Sequence, residues 1–199
     1  MKKVIIPMVL ATMIYANNAE SNAAENNKTK AQMPPVVLKG VSAIKMLGGE
    51  LKKNLKAKFK EDKSGLKAIN FCTTQAAKIS AEVSNKFPEG VSVRRVASKY
   101  RNEANKPDNI DAKVLEQFQK EIDNKTFEKK PKLVDVNGTK RVYVPVLVSK
   151  ACIKCHGENI DPKIASVIKK YYPNDKATGF KIGDLRGAMV AEVKEDTAK

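Results

Sequence analysis

The chain has 199 residues, with 38 Lys and Arg against 22 Asp and Glu, a net charge of +16, one histidine and three cysteines. A single histidine excludes any site that needs two imidazoles. Basicity of this size suits nucleic acid, anionic lipid or an acidic protein, but no helix-turn-helix, zinc-finger or RNP-like pattern supports the first. The lysines are spread along the chain rather than blocked together, which reads as a solvated surface.

Lys2 and Lys3 precede an apolar run from Val4 to Tyr15, followed by Ala16 and the polar Asn17-Asn18. That order is expected of a secretory signal peptide, cleaved near Ala16 or alternatively Ala19. The apolar run falls short of the roughly 20 residues a bilayer span needs, although a short uncleaved anchor is the alternative. No cysteine sits near the cut, so a lipid anchor there is excluded. The expected division is a signal peptide over 1–16, a disordered leader over 17–36 and one domain over 37–195, in the periplasm. Losing Lys2 and Lys3 takes the charge from +16 to +14.

Val37, Val41, Ile44, Leu51, Leu55 and Phe59 recur at helical spacing, predicting a first helix. A second is predicted over 65–86, with Ile69, Cys72, Ala76, Ile79 and Val83 on its apolar face, so that Cys72 points inward. Pro88-Glu89-Gly90 ends it, and Val91, Val93 and Val96 predict a short strand. A third helix is expected over 111–124 on Leu115, Phe118 and Ile122. Val134 and Val136, the Asn137-Gly138 turn, and Val142, Val144, Val146 and Val148 then spell a β-hairpin. Asp161-Pro162 marks the start of a helix ending near Tyr172-Pro173, and a last strand is expected over 188–193. Helices first and antiparallel strands later predict an α+β domain.

Directly after the hairpin stands Cys152-Ile153-Lys154-Cys155-His156. Two thiols three positions apart can each add across a haem vinyl group, and the histidine that follows is placed to bind iron from the proximal side. The motif predicts one haem c, attached through Cys152 and Cys155 with His156 as an axial ligand. It occurs once and no repeat is visible, so a multihaem array is excluded. A second axial ligand cannot be histidine, and without a second histidine a peroxidase-like enzyme lacks its distal acid–base group.

Met33, Met46, Met189 and Cys72 remain as distal candidates. Met46 and Met189 also suit a core, and Cys72 suits either iron ligation or burial on its helix face. Arg94, Arg95, Lys99 and Arg101 flank a strand end, where they can meet haem propionates or simply face solvent. Tyr171 and Tyr172 can pack on the haem edge or in the core. Cys72, Cys152, Cys155 and His156 also make a Cys₃His set that can bind zinc tetrahedrally, a use exclusive of haem attachment.

Several blocks occur in order: Lys67 to Cys72; Val93-Arg94-Arg95 to Lys99; Arg101-Asn102 through Pro107-Asp108; Cys152 to Gly157; Tyr172-Pro173-Asn174-Asp175 to Phe180; and Gly183-Asp184-Leu185-Arg186-Gly187-Ala188. Together they resemble the PAS-like c-type haem domain family, formerly catalogued as a domain of unknown function. Its members are stand-alone exported haem proteins and sensor regions of membrane histidine kinases. The resemblance spans roughly 37–193. It implies a PAS-like antiparallel sheet flanked by N-terminal helices, with His156 and Cys72 as the two axial ligands. One departure is visible: after Pro-Asp, relatives often carry an aromatic residue and a glutamate, where this chain has Asn109-Ile110-Asp111.

A thiolate stabilises ferric over ferrous iron, so a His/Cys pair lowers the potential below that of a His/Met pair. The implied function is a redox- or gas-responsive haem protein, not an enzyme. It would act through a redox or signalling partner, for which the basic surface suits an acidic one. The alternative is an electron-transfer cytochrome with fixed ligands.

Overall fold

The computed structural model describes residues 33–194; the expected signal peptide and most of the expected leader lie outside them. Helix α1 spans Pro35–Glu61, starting two residues ahead of the expected domain boundary, and buries Val37, Gly40, Ala43, Ile44 and Leu47 along one stripe. After a turn at Gly65 come α2, Leu66–Thr74, and α3, Ala76–Ser84. The single helix expected over 65–86 is thus broken at Gln75. The Thr73 and Thr74 hydroxyls donate to the Asn70 carbonyl at 3.0 and 2.7 Å, competing with the helical ladder at that point.

Strand β1 is Val91–Val96, and α4 is Asn109–Asp123. Asp108 and Asp111 close a capping box at the start of α4, which gives the unusual Asn109-Ile110-Asp111 segment its local role. β2, Lys132–Val136, and β3, Thr139–Leu147, form the expected hairpin. The turn fits because Asn137 and Gly138 both take positive φ, 51° and 83°. A short helix α5, Ile153–His156, carries the attachment motif. Helix α6, Pro162–Tyr171, is capped by Asp161, whose side chain accepts the Lys163 amide at 2.8 Å. β4, Leu185–Lys194, ends the described chain.

The four strands form one antiparallel sheet in the order β1-β4-β3-β2. The last strand in sequence is therefore central, and both its neighbours pair along most of its length. Helix α1 covers one face. A Cβ on Gly40 would lie 2.8 Å from Val142 Cγ2, so glycine is what lets the helix approach the sheet there. Helix α4 covers the other face, where Val114, Leu115 and Phe118 pack with Val96, Tyr143, Ala188 and Val190. Each large apolar side chain buried this way contributes about 1.5–3 kcal/mol. The protein is α+β, as its sequence predicts. Among the described residues, no helix is long and apolar enough to cross a membrane.

Candidate functional site

The pairing register of β1 sorts the candidate arginines. Arg94 lies opposite Val190 and Arg95 opposite Met189, so the two side chains leave opposite faces of the sheet. Arg94 faces α4, where Nη1 and Nη2 donate to both Asp111 oxygens at 2.7 and 3.0 Å, and it also pairs with Glu192. It is part of a structural ion cluster and does not join the attachment motif. Arg95 stands on the other face, close enough to act electrostatically on Cys72.

Helix α2 brings Cys72 to the motif. Cys72 and Cys155 border one apolar cluster built on Ile69, Ile164 and Ile168, with Leu66, Ile160 and Val167 around it. Burial raises the Cys72 thiol above its usual pKa against the pull of Arg95 and Arg101, and burial pushes Cys155 up to about 11. Cys152 packs instead with Val148, Ala177 and Phe180, its sulfur 3.2 Å from the Ser149 hydroxyl. All three cysteines are free thiols.

His156 is held by its backbone and by its ring. The Phe180 amide donates to the His156 carbonyl, and the Gly179 amide to the Gly157 carbonyl, each at 2.9 Å. The ring Nδ1–H donates to the Ala177 carbonyl at 2.7 Å, an acceptor that fixes the tautomer and leaves Nε2 as the free lone pair. The Phe180 ring stands edge-on to the imidazole with centroids 6.3 Å apart. Burial, with the Arg186 and Arg101 guanidiniums nearby, pulls the imidazole down to about 3, so it is neutral at ordinary pH. Neutral imidazole is the form that binds a metal.

Arg101 braces the motif through the Cys155 carbonyl, at 2.6 Å, and is held by Asp175 at 3.0 Å. Lys99 donates to the Thr178 carbonyl, with its ammonium 4.6 Å from the Phe180 ring centroid. Arg186, which sequence reasoning did not single out, donates to the Lys99 carbonyl at 3.0 Å and lies 5.4 Å from the same ring. Burial, then the charges of Arg101 and Arg95, pull its guanidinium down to about 10. Three of the five arginines, Arg94, Arg101 and Arg141, hold carboxylates; among the described residues Arg95 and Arg186 hold none. Two unbalanced cations beside the motif are what an anionic ligand needs.

The other candidates separate. Met46 is 42% exposed on α1, and Met189 is buried in the central strand. Tyr171 is exposed, while the Tyr172 hydroxyl donates to the Cys72 carbonyl at 3.5 Å. Among the described residues, no three His, Cys, Asp or Glu side chains come together as a metal cage.

Fold and site together define an α+β domain with a helix-borne thiol and a CXXCH turn meeting beside a four-stranded antiparallel sheet. The chain belongs to the Tll0287-like family, whose model, described as Tll0287, matches residues 4–193. The family resemblance carried by the sequence blocks is thereby borne out. The crystal structure of the cyanobacterial haem protein Tll0287 matches with a TM-score of 0.60 at 24% identity, covering 92% of this chain and 100% of that one. At that identity the likeness is one of fold. No curated protein matches the chain.

Proposed function

We propose that this protein is an exported, periplasmic monohaem c-type protein with His156 and Cys72 as axial ligands, serving a redox- or gas-responsive role without turnover. Membership of a family that includes a haem protein supports haem binding. The observation that carries the finer reading is the His156 ring, neutral, tautomer-fixed and in the same helical turn as two thiols, with Cys72 bordering the cluster that holds Cys155. The residues fit the group. Cys152 and Cys155 would hold it covalently and His156 Nε2 would face the iron. The Ile69, Ile164 and Ile168 cluster would exclude water, and Arg95 and Arg186 would meet propionates.

When bound, haem supplies one-electron chemistry and, once reduced, a site for a diatomic gas. Cys72 decides between the readings: an exchangeable thiolate suits a responsive protein, a permanent one a carrier. The basic surface suits an acidic partner in either reading.

Attachment is testable first. Protein matured with the haem-attachment machinery is expected to keep its haem colour through denaturing electrophoresis. The Cys152→Ser, Cys155→Ser double variant should lose it. Haem extracted from the native chain by acid and organic solvent would overturn covalent attachment.

A further inference from the structure

Arg101 touches the attachment motif from 54 residues away in sequence. Its Nη2 donates to the Cys155 carbonyl at 2.6 Å and to the Ala177 carbonyl at 3.3 Å. Nε and Nη2 also meet the two Asp175 carboxylate oxygens at 3.1 and 3.0 Å. The Ala177 carbonyl is the one that accepts His156 Nδ1–H at 2.7 Å. A single oxygen thus serves an imidazole and a guanidinium together. Asp175 closes the arrangement from the other side, its Oδ1 accepting the Ala177 amide at 2.9 Å. The two side chains are 10% and 8% exposed, so the pair works in a medium that screens poorly.

We propose that Arg101 and Asp175 are a positioning pair that orients His156 and sets how strongly it donates electrons to a bound iron. The proposal rests on the haem reading above. A histidine that gives its Nδ1–H to a strong acceptor becomes a better electron donor through Nε2. A guanidinium on the same acceptor draws off that oxygen's charge, so His156 donates less and the ferrous state is favoured. The pair is also charge-balanced. Removing one member leaves the other's charge uncompensated near the iron.

The two single variants therefore act in opposite directions. Arg101→Gln leaves the Asp175 carboxylate alone and relieves the Ala177 carbonyl, and both effects favour ferric iron. Asp175→Asn leaves the guanidinium alone and favours ferrous iron. A pair that only braced the fold would lower stability in both variants without reversing sign.

Spectroelectrochemistry on the holoprotein reads this out. At a fixed applied potential, the ferrous-to-ferric ratio is expected to fall at least about threefold in Arg101→Gln and to rise at least about threefold in Asp175→Asn. Arg101→Lys, which keeps the charge but not the fork, should fall between Arg101→Gln and the native chain. Unchanged ratios, or shifts of one sign in both variants, overturn the proposal. If Arg101→Gln yields no holoprotein, Asp175→Asn decides alone, and an unchanged or lowered ratio sinks it. A native chain without covalent haem defeats the underlying reading itself; a native chain with haem and unshifted variants defeats only the positioning pair.

Discussion

The Tyr143 hydroxyl donates to the Asp111 carboxylate at 2.8 Å, and both residues are 0% exposed. Asp111 also takes both Arg94 nitrogens, and its Oδ2 accepts the Asp108 amide at 3.1 Å. It is the buried charge between α4 and the sheet, stable there because each oxygen is satisfied. Removing it leaves Arg94 with Glu192 alone and strands a buried hydroxyl. Asp111→Ala should cost about 3–5 kcal/mol in urea unfolding. A loss near that of an ordinary surface substitution would mean that Glu192 and water compensate Arg94 and that the Tyr143 hydroxyl finds another acceptor.

That cluster shows where sequence reading stopped. The hairpin was legible because Asn137-Gly138 encodes its own turn, and α6 because Asp161-Pro162 encodes its own start. The motif announced itself, and the family resemblance pointed to Cys72. The break at Gln75 has no Gly or Pro to mark it, only threonine hydroxyls turned back on the helix. Arg94 and Arg95 form one basic group in the sequence, yet as neighbours on a strand they leave it by opposite faces, a separation that period two already encodes. Arg186 escaped notice because its partners, Lys99 and Phe180, meet it only in the fold. Asp175 and the Ala177 carbonyl were invisible for the same reason.

Gly187 sits at φ 144°, and a Cβ there would lie 2.3 Å from the Val96 carbonyl oxygen and 2.9 Å from Ala97 Cβ. The obstacle is backbone of the paired strand, which cannot swing aside, and the conformation itself adds about 1–3 kcal/mol for a non-glycine residue. At Gly40 the obstacle is the Val142 side chain, and alanine regains about 1 kcal/mol of helix propensity. Gly187→Ala should therefore lower the thermal midpoint clearly more than Gly40→Ala. The reverse order would place the tighter constraint on the helix side of the sheet.

Asp62 organises the turn that leads into the Cys72 helix. The Ser64 hydroxyl, at 2.7 Å, and then the Lys67 amide, at 3.1 Å, hold its carboxyl down to about 2. A depressed acid contributes stability that is full above its unfolded value, about 3.9, and is lost as pH falls through the folded one. The α2 N-terminus should hold down to about pH 4 and loosen between there and pH 2. An NMR titration of the Asp62 carboxyl should find its midpoint near 2, and Asp62→Asn should abolish the loosening. A midpoint near 4 would mean that the turn is open in solution.

The thiols of the haem-free chain should differ from exposed ones. With Cys155 pushed up to about 11 by burial, only about one part in a thousand is thiolate at pH 8, and the Cys72 thiol is raised as well. Iodoacetamide should label Cys155 slowly in the folded chain, with a rate rising about tenfold per pH unit towards 11. Labelling in denaturant should be fast at every cysteine. Mass spectrometry of the labelled peptides separates the positions. Fast labelling of Cys155 in the folded chain would be incompatible with its place beside Ile164 and Ile168.

Cys72 is the side chain on which the proposed function turns. It reaches the motif from α2, a separate element, so deleting its sulfur leaves the attachment turn and the His156–Ala177 hydrogen bond untouched. Covalent haem should therefore form in Cys72→Ala as in the native chain. What should change is the electronic state: a ferric spectrum that is low-spin in the native protein should turn high-spin without the thiolate. Carbon monoxide then separates the two uses. Uptake by the dithionite-reduced native protein means that Cys72 yields its place, as a responsive protein requires. No uptake means ligands fixed across both redox states, the property of a carrier. A ferric spectrum identical in native and variant protein would return Cys72 to the apolar cluster of Ile69 and Ile168 as a packing residue.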